Sequence, residues 1–281
     1  MTIQQALQQA KQQLTDASPS ATLDAQVLLC HVLQCNSAHL LTWPDKVLEQ
    51  QQITSFQNYI SQRKTGLPVA HITGEREFWS LTFQTDNSTL IPRPETETLV
   101  EFILQKFTDI EPLKLLDLGT GSGAIAIAIA HEKPSWQIFA SELSEDALAL
   151  AKTNSKKNNT SNIHFINSDW FTDINETSFD IIVSNPPYIA DDDEHLQHGD
   201  VRFEPLTALT AGATGMDDIE KICAQAKTFL NRNGWLIVEH GYHQQQTVKA
   251  CFVKNGFKQI IQKNDLSGIP RLTAACASDS V

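Results

Sequence analysis

The most informative segment of the chain is Leu115-Leu116-Asp117-Leu118-Gly119-Thr120-Gly121-Ser122-Gly123. Its apolar first half is typical of a buried strand, and the glycines allow a sharp turn that a ligand can approach without meeting a Cβ atom. Residues 124–131 continue with a helical pattern. Strand, glycine turn and helix in this order predict a nucleotide-like ligand at the carboxyl edge of a sheet.

Short apolar runs alternate with helical patterns through the rest of the chain after about residue 95. The predicted strands are 113–118, 137–140, 163–166, 179–183 and 235–238, with a closing antiparallel pair at 257–261 and 271–276. Helices are expected after Ser122, after Ser144, over 217–230 and after Tyr242. This alternation favours an α/β fold whose mostly parallel sheet is covered by helices on both faces.

The N-terminal part of the chain has a helical pattern instead. One apolar stripe is formed by Ala25, Leu28, Leu29, Val32 and Leu33, and a further helix is predicted over 48–63. We therefore expect a small helical domain at the N-terminus.

Three domain segments follow from these patterns: a helical domain over 1–73, a linker with a β-hairpin over 74–94, and the sheet domain over 95–281. The prolines of Ile91-Pro92-Arg93-Pro94 interrupt regular structure, and Thr96 is expected to cap the helix that follows.

Charge and composition exclude several classes of partner. The formal net charge of -12, from 33 acidic and 21 basic residues, repels phosphate backbones, so no direct binding of nucleic acid is expected. No apolar stretch approaches the roughly 18 residues of a membrane span, which predicts a cytoplasmic protein without a membrane partner. The five cysteines lack zinc spacing, so we expect reduced thiols and no metal site.

Two later strands end in residues suited to a nucleoside. Glu142 is expected to accept hydrogen bonds from ribose hydroxyls, while Asp169 and Trp170 are expected to contact an adenine amino group and ring. Gly119-x-Gly121-x-x-Ala124 also satisfies the loose fingerprint of NAD enzymes. NAD and S-adenosylmethionine both carry this ribose, so Glu142 does not distinguish between the two ligands.

The strand over 179–183 runs into Asn185-Pro186-Pro187-Tyr188, whose two prolines predict a stiff loop at the carboxyl edge. An amide nitrogen is a poor nucleophile because its lone pair is delocalised into the carbonyl. The side-chain oxygen of Asn185 and the carbonyl of Pro186 are expected to accept the two hydrogens of a substrate NH2 group, while Tyr188 stacks on it. This pattern predicts methyl transfer to a planar amide or amine nitrogen.

These motifs together resemble the HemK/PrmC family of protein-(glutamine-N(5)) methyltransferases, which modify peptide-chain release factors. The resemblance covers nearly the whole chain and includes 74–79, 90–97, the glycine turn, 185–188, 202–205 and 239–241. The segment Ile91–Glu97 is the most specific of these.

The resemblance implies a Rossmann-like class I methyltransferase with a seven-stranded sheet, and a small N-terminal helical domain that helps to bind the release factor. S-adenosylmethionine would lie with its methionine part on Gly119, Thr120, Gly121, Ser122 and Gly123, its ribose on Glu142 and its adenine on Trp170. The substrate would be the glutamine of the Gly-Gly-Gln loop, held by Asn185 through Tyr188, with Asn185 also at the cofactor. Glu142 departs from the family pattern, in which an aspartate is more usual.

Three other hypotheses remain open at this point. The Asn-Pro-Pro-Tyr loop is shared with enzymes that methylate exocyclic amines of DNA or RNA bases. The glycine turn also fits an NAD-dependent oxidoreductase. A non-catalytic binding protein with a vestigial cofactor fold is the third, and the intact Asn185 argues against it.

Overall fold

The computed structural model describes residues 1–108 and 112–278. These residues form two compact units. The first comprises Met1–Glu75 and Gln197–Phe203, and the second comprises Arg76–Leu196 and the described residues from Glu204 onward. No helix within the described ranges is long and apolar enough to cross a lipid bilayer.

The first unit contains five α-helices: α1 (Ile3–Leu14), α2 (Ala21–Leu33), α3 (Ser37–Thr42), α4 (Gln50–Lys64) and α5 (Val69–Thr73). Helix α1 begins with a capping box, in which the Thr2 side chain accepts from the Gln5 amide and the Gln5 side chain accepts from the Thr2 amide. The apolar faces of these helices enclose a core that includes Ile3, Leu14, Leu28, Leu29, Phe56 and Ile60. The predicted helical character of this region is therefore confirmed.

A buried ion pair joins two helices of this unit. Arg63 Nε on α4 lies 2.6 Å from Asp24 Oδ2 on α2, and both side chains are less than a tenth exposed. The hydroxyls of Ser18 and Ser20 also donate to the Asp24 carboxylate, each at 2.7 Å. The segment Gln197–Phe203 is attached to the same guanidinium, because Arg63 Nη1 donates to Asp200 Oδ1 at 2.9 Å.

The second unit is built on a seven-stranded sheet, preceded in the chain by a hairpin of β1 (Glu75–Phe78) and β2 (Leu81–Gln84). Its strands are β3 (Lys114–Leu118), β4 (Gln137–Glu142), β5 (Ile163–Asn167), β6 (Phe179–Ser184), β7 (Leu230–Glu239), β8 (Lys258–Asn264) and β9 (Pro270–Cys276). Their order across the sheet is β5-β4-β3-β6-β7-β9-β8. The first five are parallel, and β9 runs antiparallel to both of its neighbours.

Both faces of this sheet are buried. Leu115, Ile181 and Ile237 belong to the hydrophobic core on one face, whereas their chain neighbours Leu116, Ile182 and Leu236 belong to the core on the other. Successive strand residues point to opposite faces, which explains why these strands have continuous apolar runs. The helices of this unit are α6 (Glu97–Lys106), α7 (Ala124–Glu132), α8 (Glu145–Lys157), α9 (Asp217–Phe229) and α10 (Gln245–Lys254).

The chain leaves β3 towards β4 and β5 on one side and returns to place β6 and β7 on the other. Strand order therefore reverses between β3 and β6. Ligands of open α/β sheets bind outside the carboxyl ends of the strands at such a reversal. The predicted α/β class, the parallel strands and the closing antiparallel pair are all confirmed.

Replacing Asp24 by alanine leaves Arg63 buried without its closest anionic partner. Removal of one member of a buried ion pair costs about 3–5 kcal/mol of stability. We expect Asp24→Ala to raise the hydrogen-exchange rates of amides in α2 and α4, measured by mass spectrometry. The exposed Asp16→Ala is the control and should leave these rates unchanged; equal rates in the two variants would contradict the importance of the buried pair.

Candidate active site

A cavity of about 570 Å³ lies at the carboxyl ends of β3, β4 and β6. Several parts of the second unit line it: the glycine turn with neighbouring strand ends, the starts of α7 and α8, the loop before α6, Thr207 with Ala208, and residues of α9. Its polar lining residues include Ser88, Thr89, Arg93, Thr96, Thr120, Ser122, Glu142, Ser168, Asp169, Asn185, Asp218 and Lys221. The size and mixed lining are those of a small-molecule site.

The glycine turn follows β3 directly. Gly119, Gly121 and Gly123 all have positive φ values, of 68°, 56° and 86°, which residues with a Cβ rarely adopt. The Asp117 carboxylate holds the turn in place, since its Oδ2 accepts from Thr120 Oγ1 at 2.6 Å and from the Ala126 amide at 3.2 Å. The predicted strand, turn and helix are therefore all present.

Glu142 ends β4 and is fixed by backbone donors. Its Oε2 accepts from the Gly121 amide at 2.9 Å, and its Oε1 accepts from the Ser144 amide at 3.0 Å. A carboxylate offers about four lone-pair positions, so this arrangement leaves acceptor capacity for two hydroxyls. The structure thus joins the glycine turn to the residue predicted to bind ribose.

Asp169 and Trp170 follow β5 and both line the cavity. The Trp170 ring packs against the glycine turn, because a Cβ atom on Gly119 would lie 3.3 Å from its Cζ3 atom. Trp170 itself has a φ of 48°. A bulky residue seldom adopts this conformation without a requirement from its surroundings.

The loop Asn185–Tyr188 is held on both sides. Ser184 Oγ donates to the Leu118 carbonyl at 2.8 Å, which joins the end of β6 to the end of β3. The amides of Tyr188 and Ile189 both donate to the Leu209 carbonyl, and Gln244 Nε2 donates to the Tyr188 carbonyl at 3.0 Å. These contacts support the stiffness predicted from the two prolines.

The Asn185 side chain is oriented by one hydrogen bond. Its Nδ2 atom donates to Thr96 Oγ1 at 3.1 Å. No described residue hydrogen-bonds its Oδ1 atom. Since Asn185 also lines the cavity, the amide has an acceptor oxygen available at the site.

The surroundings of Tyr188 differ from those expected of a residue that stacks on a substrate. Its hydroxyl lies 3.3 Å from Glu239 Oε1, and its ring packs against the hydrophobic core of the second unit. Burial, followed by the nearby Glu239, raises the pKa of Tyr188 well above its usual range, so the phenol stays protonated. Asn185 and Pro187 line the cavity, whereas Pro186 and Tyr188 are absent from its lining, and so is Gly123. Stacking of Tyr188 on a substrate stays a prediction.

The expected capping role of Thr96 is wrong. Thr96 stands at the N-cap position of α6, but its side chain makes no capping hydrogen bond. Its φ of -67° and ψ of -21° are helical, whereas a capping residue has extended dihedrals. The short 3-10 helix Pro94–Thr96 runs directly into α6, which explains these dihedrals.

Sequence reasoning assigned no role to several residues at this site. Arg93 lines the cavity and pairs with the buried Glu204, whose Oε1 accepts from the Ile91 amide at 3.0 Å. Glu239 is buried at the end of β7 beside Tyr188. These residues lie in the motifs 90–97, 202–205 and 239–241, so the resemblance to the family already pointed to them.

Comparison with known proteins decides the family. The family model described as the PrmC N-terminal domain matches residues 5–74, and the one described as the methyltransferase small domain matches 95–201. The release factor glutamine methyltransferase of Shewanella oneidensis is 47% identical over 271 residues, covering 96% of this chain and 94% of its own. The proteins of the same description from Vibrio cholerae and Escherichia coli are 46% identical over 275 residues and 42% identical over 273. They cover 97% of this chain in each case, and 96% and 98% of their own lengths.

The chain belongs to the family of release factor glutamine methyltransferases. The resemblance stated from the motifs is thereby confirmed, as is the interpretation of the chain as a methyltransferase. Membership in this family argues against an NAD-dependent oxidoreductase.

Solved structures agree on the fold of this methyltransferase family member. The hMettl16 catalytic domain, solved with the MAT2A 3'UTR hairpin 6, has a TM-score of 0.59 at 18% identity and covers 80% of this chain and 84% of its own. A methyltransferase from Pyrococcus furiosus has a TM-score of 0.54 at 18% identity, with coverages of 79% and 98%. At this identity the likeness concerns the fold alone, and it confirms the Rossmann-like class I methyltransferase architecture.

The buried Asp117 makes stability depend on pH. Burial raises the pKa of Asp117 to about 7, against the lowering effect of its hydrogen bonds from Thr120 and Ala126. The folded protein therefore keeps a proton that the unfolded chain releases near pH 4. Because the unfolded state binds fewer protons in this window, the free energy of unfolding decreases as pH rises from about 4 to about 7. Burial raises the pKa of Glu239 to about 7 as well, which adds to the same trend.

We expect Asp117→Asn to weaken this trend, because asparagine keeps an acceptor oxygen but cannot ionise. Urea unfolding at a series of pH values between about 5 and 8 measures the slope. The exposed Asp16→Asn should retain the slope of the parent protein. An identical slope in Asp117→Asn would show that the Asp117 carboxyl is already ionised at acid pH.

Proposed function

We propose that this protein transfers a methyl group from S-adenosylmethionine to the side-chain amide nitrogen of the glutamine in the Gly-Gly-Gln motif of peptide-chain release factors. The observation that carries the proposal is the Asn185 amide, which is oriented by Thr96 and lies at one cavity with the glycine turn. The names of the relatives support the choice of substrate. In the cell such a reaction would modulate translation termination in the cytoplasm.

The residues present fit the proposed cofactor. A Cβ atom on Gly121 would meet nothing within 4 Å, so open space lies next to this residue of the cavity lining. The turn Gly119–Gly123 would hold the methionine part, Glu142 the ribose, and Asp169 with Trp170 the adenine. Bound S-adenosylmethionine would supply a methyl group on a positively charged sulfur.

The chain's own residues would orient the acceptor nitrogen. The lone pair of an amide nitrogen is delocalised into its carbonyl, so it must be turned towards the methyl group. Asn185 Oδ1 and the Pro186 carbonyl would each accept one hydrogen of the substrate NH2 group. Orientation of this kind contributes roughly 7–11 kcal/mol in favourable cases. No strong base is needed before transfer, because the methylated nitrogen is acidic and loses its proton to water.

The alternative substrate is an exocyclic amine of a DNA or RNA base, which presents the same planar NH2 group. The relatives named after release factors do not favour it. The net charge of -12 also opposes a phosphate backbone. Likeness to the RNA-bound hMettl16 domain concerns the fold and leaves the acceptor open.

Methyl-transfer assays with three acceptors test the proposal directly. Purified release factor, duplex DNA and ribosomal RNA are each incubated with the protein and labelled S-adenosylmethionine, and peptide mass spectrometry locates the methyl group. We expect label on the glutamine of the Gly-Gly-Gln motif and none on the nucleic acids. Label on a nucleic-acid base, with none on the release factor, would overturn the proposal.

Alanine substitution at either of two glycines introduces a similar backbone strain. Comparing the two variants therefore separates an effect on cofactor binding from an effect on folding. Gly121 and Gly268 both have positive φ, and a Cβ atom on either would meet nothing within 4 Å. Each alanine variant therefore carries a similar strain of about 1–2 kcal/mol. Only Gly121 lines the cavity, so we expect Gly121→Ala to weaken cofactor binding about tenfold, the effect of about 1.4 kcal/mol. Calorimetry measures both affinities; equal weakening in Gly268→Ala would mean that the turn does not contact the cofactor.

Asn185→Ala removes the proposed acceptor oxygen. We expect this variant to bind S-adenosylmethionine with nearly the affinity of the parent protein and to lose methyl transfer on the order of 100-fold, because the acceptor nitrogen is no longer oriented. Calorimetry and single-turnover transfer to release factor measure the two quantities. An unimpaired transfer rate would contradict the role assigned to Asn185.

A further inference from the structure

Thr96 is a buried residue whose hydroxyl contacts Asn185 at the cavity and does not cap its own helix. The residue is 4% exposed and lines the cavity. The hydroxyl accepts a hydrogen bond from Asn185 Nδ2 at 3.1 Å. An asparagine amide can be rotated by 180° with little change of shape, so one such contact decides whether oxygen or nitrogen is presented to a ligand.

Glu239 lies on the other side of Thr96. It ends β7 and is 1% exposed. Its Oε1 lies 3.3 Å from the Tyr188 hydroxyl, and the nearby Thr96 side chain lowers the pKa of its carboxyl. Its Oε2 has no hydrogen-bond partner among the described residues. Charged neighbours of this carboxyl are Arg271 on β9, which lowers its pKa, and Glu95 before α6, which raises it.

When Glu239 is ionised, the donor and acceptor properties of these three groups permit one order. A carboxylate only accepts hydrogen bonds, and a threonine hydroxyl has a single proton to donate. If that proton points to Glu239, the Thr96 oxygen can only accept, so Asn185 must present Nδ2 to it. Asn185 Oδ1 is then the atom left for the cavity.

We infer that Thr96 is a positioning residue for methyl transfer, which together with Glu239 fixes the Asn185 amide with its oxygen towards the acceptor nitrogen. This inference rests on the proposed function for its kinetic consequence. It concerns the free protein as well, because Thr96, Glu239 and Asn185 all belong to the chain itself. Thr96 acts through Asn185 and contacts no reacting atom in this arrangement.

Two substitutions, one without the hydroxyl and one that retains it, isolate the role of the Thr96 hydroxyl. Thr96→Val has the shape of threonine without a donor or acceptor, whereas Thr96→Ser retains the hydroxyl. We expect Thr96→Val to lower kcat for methyl transfer roughly ten- to hundredfold while the affinity for S-adenosylmethionine changes little. Thr96→Ser is expected to recover most of the parent kcat.

A spectroscopic measurement on the free protein makes the test independent of substrate. The side-chain NH2 group of Asn185, assigned in a ¹⁵N-labelled sample by comparison with Asn185→Ala, gives two proton resonances. Loss of the hydrogen bond to Thr96 should move the bonded proton upfield in Thr96→Val, and Thr96→Ser should retain the parent position.

The outcomes separate this inference from the proposed function. Unchanged Asn185 resonances and an unchanged kcat in Thr96→Val would overturn it, and so would parallel losses of cofactor affinity and stability that explain the lost activity. If the parent protein transfers no methyl group to release factor, the proposed function fails. The Asn185 resonances in Thr96→Val and Thr96→Ser then still support or overturn the positioning role.

Discussion

The parallel pairing of β3 with β6 brings the two halves of the site together. In this register Leu118 lies opposite Ser184, so the residues that leave the sheet next are Gly119 and Asn185. The hydrogen bond from Ser184 Oγ to the Leu118 carbonyl ties the two strand ends at that point. Because the strand order reverses here, the helices connecting to β4 and β7 diverge and leave a crevice. The glycine turn and the Asn-Pro-Pro-Tyr loop, which are far apart in sequence, thus become neighbours through backbone pairing.

The glycine turn and the Asn-Pro-Pro-Tyr loop share one feature. Next to each of them lies a buried carboxyl with a threonine side chain between the carboxyl and the loop. Asp117 at the end of β3 accepts from Thr120 in the glycine turn, and Glu239 at the end of β7 lies against Thr96, which contacts Asn185. Burial raises the pKa of both carboxyls to about 7, so each opposes folding at neutral pH. Buried polar groups with few partners are costly, and their presence at a functional edge indicates that orientation is maintained there at the expense of stability.

Local patterns in the sequence predicted most of the fold, because apolar runs and glycine turns are short-range features. The main shortfall is β7, which was predicted over 235–238 and extends over Leu230–Glu239. Its first half contains Asn231-Arg232-Asn233-Gly234, whose composition is typical of a turn. The extension to Leu230 depends on its pairing with Phe179 of β6, and residues 231–234 form an irregularity before Trp235 pairs with Ile181. The grouping of Gln197–Phe203 with the helical unit is similarly non-local, because it depends on contacts such as that of Asp200 with Arg63.

The candidate site was predictable where a residue directly follows a strand, and hidden where a residue's position depends on contacts with distant parts of the chain. Glu142 and Asn185 closely follow the predicted strands 137–140 and 179–183, so their position at the carboxyl edge followed from sequence alone. Thr96 was instead predicted as a helix cap, a role that costs only about 1 kcal/mol to lose. A threonine hydroxyl has one proton, and the 3-10 helix before α6 holds Thr96 in helical dihedrals that direct this hydroxyl away from the first amides of α6. The failure of a strong local rule at this residue is therefore informative, because natural sequences depart from such rules mainly at functional sites.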